Sequence, residues 1–407
     1  MLTVDDIKFI VENEGADVSS LLLSKGRNTA GVNLQLCAKC IQAREKMKTK
    51  VPLWYSNPSL AYPFSVSVEQ GSSQQTAMFK QQIIAGLFNG KAQATADLTG
   101  GMGIDSWFIS QIAHQHFYFE RNSELCCATR YNFGQLGADN ITVNNCDITE
   151  NGCKALEILK GSEISLIYID PARRDKNNGK TVLLQDYEPD ITVLQQKLLG
   201  ISRYVLVKVS PMADIKLNLK LLPQISTVWV VAVENECKEL LFLLDREYSG
   251  DHQPVHCINI KGDNIQEFSF TLEQEHTEQC TFAKEPAKYL YEPNKAVLKG
   301  GAYKTVATRY QCHKLAASTH LYTSQEKIEG FPGKVFAIEE TVVFNKKSLK
   351  EVAKQYPKAD LSAKNFPLDT NALKKLSGIK DGGEKHIFAV TLSNGEKAML
   401  VCSRIFE

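Results

Sequence analysis

At 407 residues the chain is too long for one ordinary core, and two to four domains are expected. Its 43% hydrophobic and 23% charged residues are those of a water-soluble globular protein, and no apolar run approaches the roughly twenty residues of a membrane-spanning helix. A net charge of +1 excludes a global basic field, so nucleic-acid binding has to rest on local patches.

Eleven cysteines are scattered without a framework spacing, and Met1-Leu-Thr-Val-Asp-Asp6 has neither the basic start nor the apolar core of a signal peptide. A cytoplasmic chain with reduced thiols is expected.

Residues 3–50 read as helices. Thr3 or Asp5 can cap the first, with Ile7, Ile10 and Val11 on one face. Cys37-Ala-Lys-Cys40 falls in a second helix. A lone CxxC is half a zinc site, a redox pair, or two small apolar residues, and no histidine pair or second CxxC nearby completes a metal site. Arg44, Lys46, Lys48 and Lys50 follow, as a phosphate-contacting run or a solvated face. Pro52, Pro58 and Pro63 among Trp54, Tyr55 and Tyr62 predict a stiff linker. A helix is expected from about Gln74 to Leu87, capped by Ser72 or Ser73.

The core follows. A short apolar run ends in Asp97 and leads through Thr99, Gly100, Gly101 and Gly103 into an apolar helix-like segment. Strand, tight turn and helix in that order bring backbone N–H groups close to an adenosine-bearing ligand, and glycine permits the approach. His116–Phe119 reads as a second strand ending in Glu120, which suits a ribose diol. Asn140–Val143 reads as a third, closed by Asp147 and Ile148, where Asp147 can accept from an adenine amino group. Glu163–Ile169 is a fourth, ending in Asp170-Pro171-Ala172-Arg173-Arg174. In open α/β sheets ligands bind at these strand ends. Arg203–Val209 is a fifth strand. Thr227–Val233 and Glu239–Leu244 lie too close for a crossover helix and pair as an antiparallel hairpin.

From His252 onward the character changes. Pro254–Ile260 and Glu267–Leu272 alternate like strands. A basic helix-like stretch, Tyr291–Tyr310, carries Lys295, Lys299, Lys304 and Arg309, with Lys314 beyond. Lys334–Ile338 and Thr341–Phe344 read as strands, Leu349–Gln355 as a helix, and His386–Leu392 with Lys397–Cys402 as a hairpin around Ser393-Asn394-Gly395.

Read together, Asp97–Gly103, Glu120, Asp147 and Asp170-Pro171 resemble the glycine-rich motif, ribose acid, adenine-side acid and catalytic loop of class I S-adenosylmethionine-dependent methyltransferases. The resemblance covers roughly residues 90–250. Glu69–Ala77, Val209–Asp214, Asn235–Leu240 and Phe331-Pro-Gly333 are similar to a bacterial branch with a ferredoxin-like insert and a C-terminal THUMP-like domain. That implies a Rossmann-like α/β sheet, mostly parallel with an antiparallel terminal hairpin, preceded by helices and followed by small α/β domains. The implied divisions are an N-terminal helical region (1–85), a methyltransferase domain (86–280), a ferredoxin-like domain (281–345) and a THUMP-like domain (346–407). It implies S-adenosylmethionine as cofactor, held by Asp97, Thr99, Gly100, Gly101, Gly103, Glu120, Asp147 and Ile148. It also implies an RNA partner, tRNA or rRNA.

Methyl transfer from a sulfonium needs the acceptor lone pair placed behind the methyl carbon. The expected acceptor is a base nitrogen of the RNA: an aspartate and a nearby carbonyl hold its N–H, which suits Asp170 and the Pro171 neighbourhood as the catalytic residues. Amine-directed enzymes of this kind carry Asp/Asn-Pro-Pro-aromatic, whereas Ala172 and Arg173 stand here. Arg173 and Arg174 can stack on a base or hold a phosphate, and Lys295 and Lys299 can add phosphate contacts. Cys237 is the nearest candidate nucleophile for carbon methylation. Three other readings stay open: a nicotinamide-dependent dehydrogenase, whose GxGxxG lacks its third glycine at Asp105 and Ser106, a non-catalytic RNA-binding protein that retains the fold, and a methyltransferase with a non-RNA acceptor.

Overall fold

The computed structural model describes residues 1–23, 31–148, 153–173, 184–250 and 252–405. The chain forms two compact units, Met1–Thr227 with Glu239–Gly250, and Val228–Lys238 with Asp251–Glu407.

The first unit opens with helices Val4–Glu12, Val18–Leu23 and Leu34–Lys50. Thr3 and Asp6 form a capping box, and Asp6 also accepts from the Asn33 backbone at 2.7 Å, tying the first helix to the start of the third. Cys37 and Cys40 are buried there. Cys37 donates to Asp6, and Cys40 accepts from the Tyr62 N–H. Burial pushes their thiols up to about 12 and about 11, so both pack as unreactive apolar groups. No cluster able to hold a metal exists among the described residues.

In the basic run after Cys40 only Arg44 turns inward, and Lys48 is exposed. Arg44 is buried against Glu14 and over the Tyr55 ring, and Lys46 and Lys50 both reach Glu69. The proline-rich segment is not wholly extended: Pro52–Tyr55 makes one helical turn that buries Trp54 among Ile41, Met47, Tyr62, Ile104 and Phe108.

The sheet of this unit has strands β1 (Ala92–Asp97), β2 (Ala113–Glu120), β3 (Ile141–Asn145), β4 (Ile164–Ile169) and, after a short separate pair β5 (Ala172–Arg173) and β6 (Tyr187–Glu188), β7 (Tyr204–Val209). β1 lies between β2 and β4, with β3 and β7 outside them, and all these neighbours are parallel. β8 (Ile225–Val233) turns into β9 (Glu236–Asp245) through Glu234 and Asn235, whose φ of 49° and 62° give the two-residue reversal of a hairpin. β9 runs antiparallel to β7, with Val209 opposite Leu240. Parallel strands leave all their C-terminal ends on one edge, so Asp97, Glu120, Asp147 and Asp170 share it.

His116 sits wholly buried in β2. Its Nδ1 meets the Thr95 hydroxyl at 2.8 Å, and its Nε2 has no partner among the described residues. Burial pushes its pKa down to about 3. Below about pH 6.5 the unfolded chain takes up a proton that the folded one refuses, so stability is complete above 6.5 and is lost as pH falls towards 3. The expected loss is about 1.4 kcal/mol per pH unit from this group. Thermal melts between pH 7 and pH 5 check it: His116→Gln should flatten the dependence, and an unchanged slope would contradict the assignment.

In the second unit β10 (Pro254–Lys261) pairs parallel with β8 and antiparallel with β11 (Asn264–Thr271). A seven-stranded sheet follows, ordered β13-β14-β12-β15-β18-β17-β16. Its strands are β12 (Tyr289–Pro293), β13 (His313–Ala316), β14 (Thr319–Ser324), β15 (Gly333–Val343), β16 (Asp360–Lys364), β17 (Lys385–Thr391) and β18 (Lys397–Ile405).

Two expectations change here. Lys334–Ile338 and Thr341–Phe344 are one strand, bulged between Ile338 and Glu340. Tyr291–Tyr310 is not one helix. It begins as β12 and continues as two short helices, Lys295–Gly300 and Tyr303–Arg309, broken at Gly301 with φ 84°.

Candidate functional site

The first unit gathers the predicted residues at one edge. Asp97 ends β1 fully buried. Its carboxylate accepts from the Thr99 N–H at 2.9 Å and the Ser106 hydroxyl at 2.6 Å. Burial pushes it up to about 7 against those hydrogen bonds.

The turn then passes so close to β2 that a Cβ on Gly100 would stand 2.1 Å from the Tyr118 ring. Gly103 has φ 80°, and a Cβ there would meet Thr129 at 2.6 Å. Tyr118 donates to the Gly101 carbonyl, and Glu120 accepts from the Gly101 N–H at 3.0 Å and the Asn122 N–H at 2.7 Å. Glu120 thus stands beside the turn, with each carboxylate oxygen on a backbone N–H. Asp147 follows β3 half-buried, and Ile148 is buried next to it. Thr99 joins the fourth strand to the first: its hydroxyl accepts the Asp170 N–H at 2.6 Å. Pro171 is buried, and the Arg173 backbone pairs with Tyr187 in the β5–β6 ladder. Arg174 and the loop through residue 183 lie outside the described residues.

Beneath Asp170 lies a charge cluster that sequence reading did not find. Lys208, on β7, places its ammonium 2.5 Å from the Asp170 carboxylate. Lys80, on the helix Gln74–Leu87, is wholly buried. It bonds Glu239 of β9 at 2.7 and 3.0 Å and lies 3.3 Å from Asp105. The Ser72 hydroxyl lies 3.2 Å from Lys80 and 3.5 Å from Lys208, and it donates to Asp105 at 2.7 Å. The Tyr168 hydroxyl donates to Asp105 at 2.8 Å. Ser73, not Ser72, caps the helix.

The cluster's fields follow from this packing. Burial lowers the Lys208 ammonium's affinity for its proton, but Asp170, Asp105 and Glu239 more than offset that and hold it well above the ordinary lysine range. Burial raises Asp105, and Lys80 and Lys208 bring it below the usual carboxylate range. Glu239 stays raised by burial despite the same lysines. Two ammonium groups therefore face three carboxylates.

In the second unit the basic stretch from Tyr291 to Lys314 is taken up by packing only in part, and Arg309 stays exposed. Lys314 is buried over the Tyr303 ring with its ammonium on the Ala317 carbonyl. Lys304 donates to the His276 carbonyl, and Arg309 lies over Phe268. Lys295 stays exposed at the start of its helix, and Lys299 is half-buried. Cys237 donates to the Lys295 carbonyl and burial raises its thiol, which suits packing more than nucleophilic attack.

A stronger patch lies further on. Residues 346–380 hold nine lysines against three acidic residues. On the helix Lys346–Gln355, Leu349 and Val352 are buried while Lys346, Lys347, Lys350 and Lys354 are exposed. Lys346, Lys347, Leu349, Lys350 and Leu376 line a concavity of about 460 Å³. A concavity of about 520 Å³ by Gln93, His114, Gly161 and Glu163 lies at the other edge of the first unit's sheet, where the strands begin.

Residues 289–332 match the family of ferredoxin-like domains, and residues 333–404 the family of THUMP domain-like segments. No curated protein matches the chain. Among solved structures, a Porphyromonas gingivalis W83 protein proposed to be a methyltransferase is 31% identical over 100% of both chains, with a TM-score of 0.90. An rRNA methylase from Streptococcus thermophilus is 12% identical over 41% of this chain and 94% of its own, with a TM-score of 0.32. A Streptococcus mutans protein bound to S-adenosylhomocysteine is 15% identical over 41% and 95%, with a TM-score of 0.30.

Proposed function

We propose, from the premise that the chain belongs to the family of class I S-adenosylmethionine-dependent methyltransferases carrying a ferredoxin-like and a C-terminal THUMP-like domain, that it methylates RNA, tRNA or rRNA. The observation that carries the reading is the shared edge of the first unit. There a turn too close to Tyr118 to take a side chain is flanked by Asp97, Glu120, Asp147 and Asp170 on four neighbouring parallel strands.

In this reading the Asp97–Gly103 turn holds the methionine end of the cofactor, and Thr99 fixes the turn to the Asp170 loop. Glu120 accepts from the ribose diol. Asp147 accepts from the adenine amino group, with Ile148 against the ring. The cofactor supplies an activated methyl on a sulfonium, whose positive charge suits a site where carboxylates outnumber ammonium groups. A nicotinamide cofactor would leave the cluster around Asp170 without a role.

Support for RNA comes from the THUMP-like segment and its lysine-rich helix face. Lys346, Lys347, Lys350 and Lys354 are offered to a phosphate backbone, with Lys295, Lys299, Arg173 and Arg174 as further proposed contacts. A base nitrogen would be held through the Asp170 carboxylate, one oxygen of which is bonded to Lys208 and the other left to accept.

The test uses the purified chain, methyl-labelled cofactor and RNA from a strain lacking the gene. Label should appear in RNA. The paired substitution Lys346→Glu and Lys350→Glu should weaken RNA binding uniformly across sequences and flatten its salt dependence by about one unit of log–log slope per lost phosphate contact. Cofactor affinity should stay intact. Unchanged RNA affinity in that variant would remove the helix from the interface.

A further inference from the structure

We infer that the methyl acceptor is a hydroxyl, the ribose 2′-hydroxyl of the RNA, and that Lys208 and Asp170 hold it. The inference rests on the RNA-methyltransferase reading and deepens it. A base amine must be gripped through its N–H by a free carboxylate oxygen and a carbonyl, with its ring clamped by an aromatic side chain. Among the described residues this is in place only in part: one carboxylate oxygen of Asp170 is left, and no stacking aromatic follows Pro171. Asp170 Oδ2 is taken by the Lys208 ammonium at 2.5 Å. Ala172 and Arg173 follow Pro171 where a stacking aromatic would stand. Tyr168, the ring nearest in sequence, is buried beneath with its hydroxyl on Asp105.

A hydroxyl asks for less, and the structure offers it. It has no plane to stack. It needs one donor on its oxygen, to orient the reacting lone pair, and one acceptor for its proton. Lys208 and Asp170 are the least buried members of the cluster, with side chains 13% and 33% exposed, so they face outward as a donor–acceptor pair. Behind them Lys80, Glu239, Asp105 and Ser72 are closed off and mutually bonded. They are positioning residues: Ser72, within reach of both ammonium groups, fixes where Lys208 can point.

The step balances without a further reactant. The hydroxyl oxygen forms the new bond to the methyl carbon while the carbon–sulfur bond breaks, and that electron pair returns to sulfur, leaving a neutral thioether. As the oxygen–carbon bond forms the O–H becomes strongly acidic, so a carboxylate is a sufficient acceptor. The proton passes to Asp170 and on to water through its exposed side. Lys208 remains an ammonium throughout and stabilises the oxygen as it loses its proton.

The experiment asks where the label sits. RNA labelled by the full chain is divided into an alkali-hydrolysed and a nuclease-digested sample, and the nucleosides are fragmented in a mass spectrometer. A 2′-O-methyl group blocks alkaline cleavage at its own linkage, so label is expected in alkali-resistant dinucleotides and on the sugar fragment. Lys208→Met and Asp170→Asn should each lower the rate about a hundredfold or more, with cofactor affinity within about threefold. Label on a base fragment would overturn the hydroxyl acceptor and leave RNA methylation standing. Cofactor binding without label in any RNA would overturn both. Should either variant fail to fold, the position of the label in wild-type product still decides.

Discussion

Replacing Lys80 by methionine is expected to destabilise the first unit by about 3–5 kcal/mol, the usual cost of removing one partner from a buried ion pair. Lys80 is wholly buried, Glu239 is nearly so, and the two are joined by a double contact of 2.7 and 3.0 Å. Methionine fills the volume but leaves Glu239 and Asp105 facing each other's charge with only Lys208 to offset it. Glu239 already has a raised pKa from burial. Without Lys80 it should rise further and take up a proton.

The sign of the pH effect follows. A carboxyl whose folded pKa lies above its unfolded one binds its proton more tightly when folded, so stability is lost as pH rises from the unfolded value towards the folded one. The Lys80→Met deficit should therefore be larger at pH 8 than at pH 5. The double substitution Lys80→Met with Glu239→Leu should recover most of the loss, because removing both charges ends the desolvation cost. Chemical denaturation of the four proteins in the cycle checks this. A deficit under about 1 kcal/mol, or one indifferent to pH, would mean that the pair is not buried and coupled as described.

The second large effect concerns the cofactor edge. Glu120→Ala should weaken S-adenosylmethionine binding by about 2–3 kcal/mol, roughly thirty- to more than a hundredfold, because two hydroxyls of a ribose lose a charged acceptor. The side chain also holds the Gly101 and Asn122 N–H groups, so the turn loosens with it. Glu120→Gln separates the two contributions. It keeps an oxygen for the backbone and loses the charge, so its affinity should fall between those of the wild type and the alanine variant.

The edge that gathers Asp97, Glu120, Asp147 and Asp170 was legible in the sequence because each part of it is local. A strand, its terminal acid and the following turn lie within a dozen residues, and an apolar run ending in Asp97, Glu120 or Asp170 marks itself. The hairpin at Glu234 and Asn235 was legible for the same reason: there is no room for a crossover. The cluster beneath Asp170 was not. Lys80 and Glu239 are 159 positions apart. Lys80 sits in a polar-looking helix, Gln74–Leu87, where a lysine normally faces water. Lys208, in the apolar strand Tyr204–Val209, was a lysine where burial is expected, and that was the one signal available.

The surroundings of the basic residues were less legible. Lys314 and Lys304 look like surface charge in a sequence, but their aliphatic stems pack and their ammonium groups bond carbonyls. The lysine face of Lys346–Gln355 shows itself only once the burial of Leu349 and Val352 orients the helix. β16 was missed because Asp360–Lys364 carries one buried residue, Leu361, and owes its place to parallel pairing with β17.

The most direct test is isothermal titration of the purified chain with S-adenosylmethionine and with NAD, repeated on Glu120→Ala. Binding of S-adenosylmethionine at one site per chain, weakened at least thirtyfold by the substitution, with no heat from NAD, is the result predicted. Saturable NAD binding, or an affinity for S-adenosylmethionine indifferent to Glu120, would contradict it.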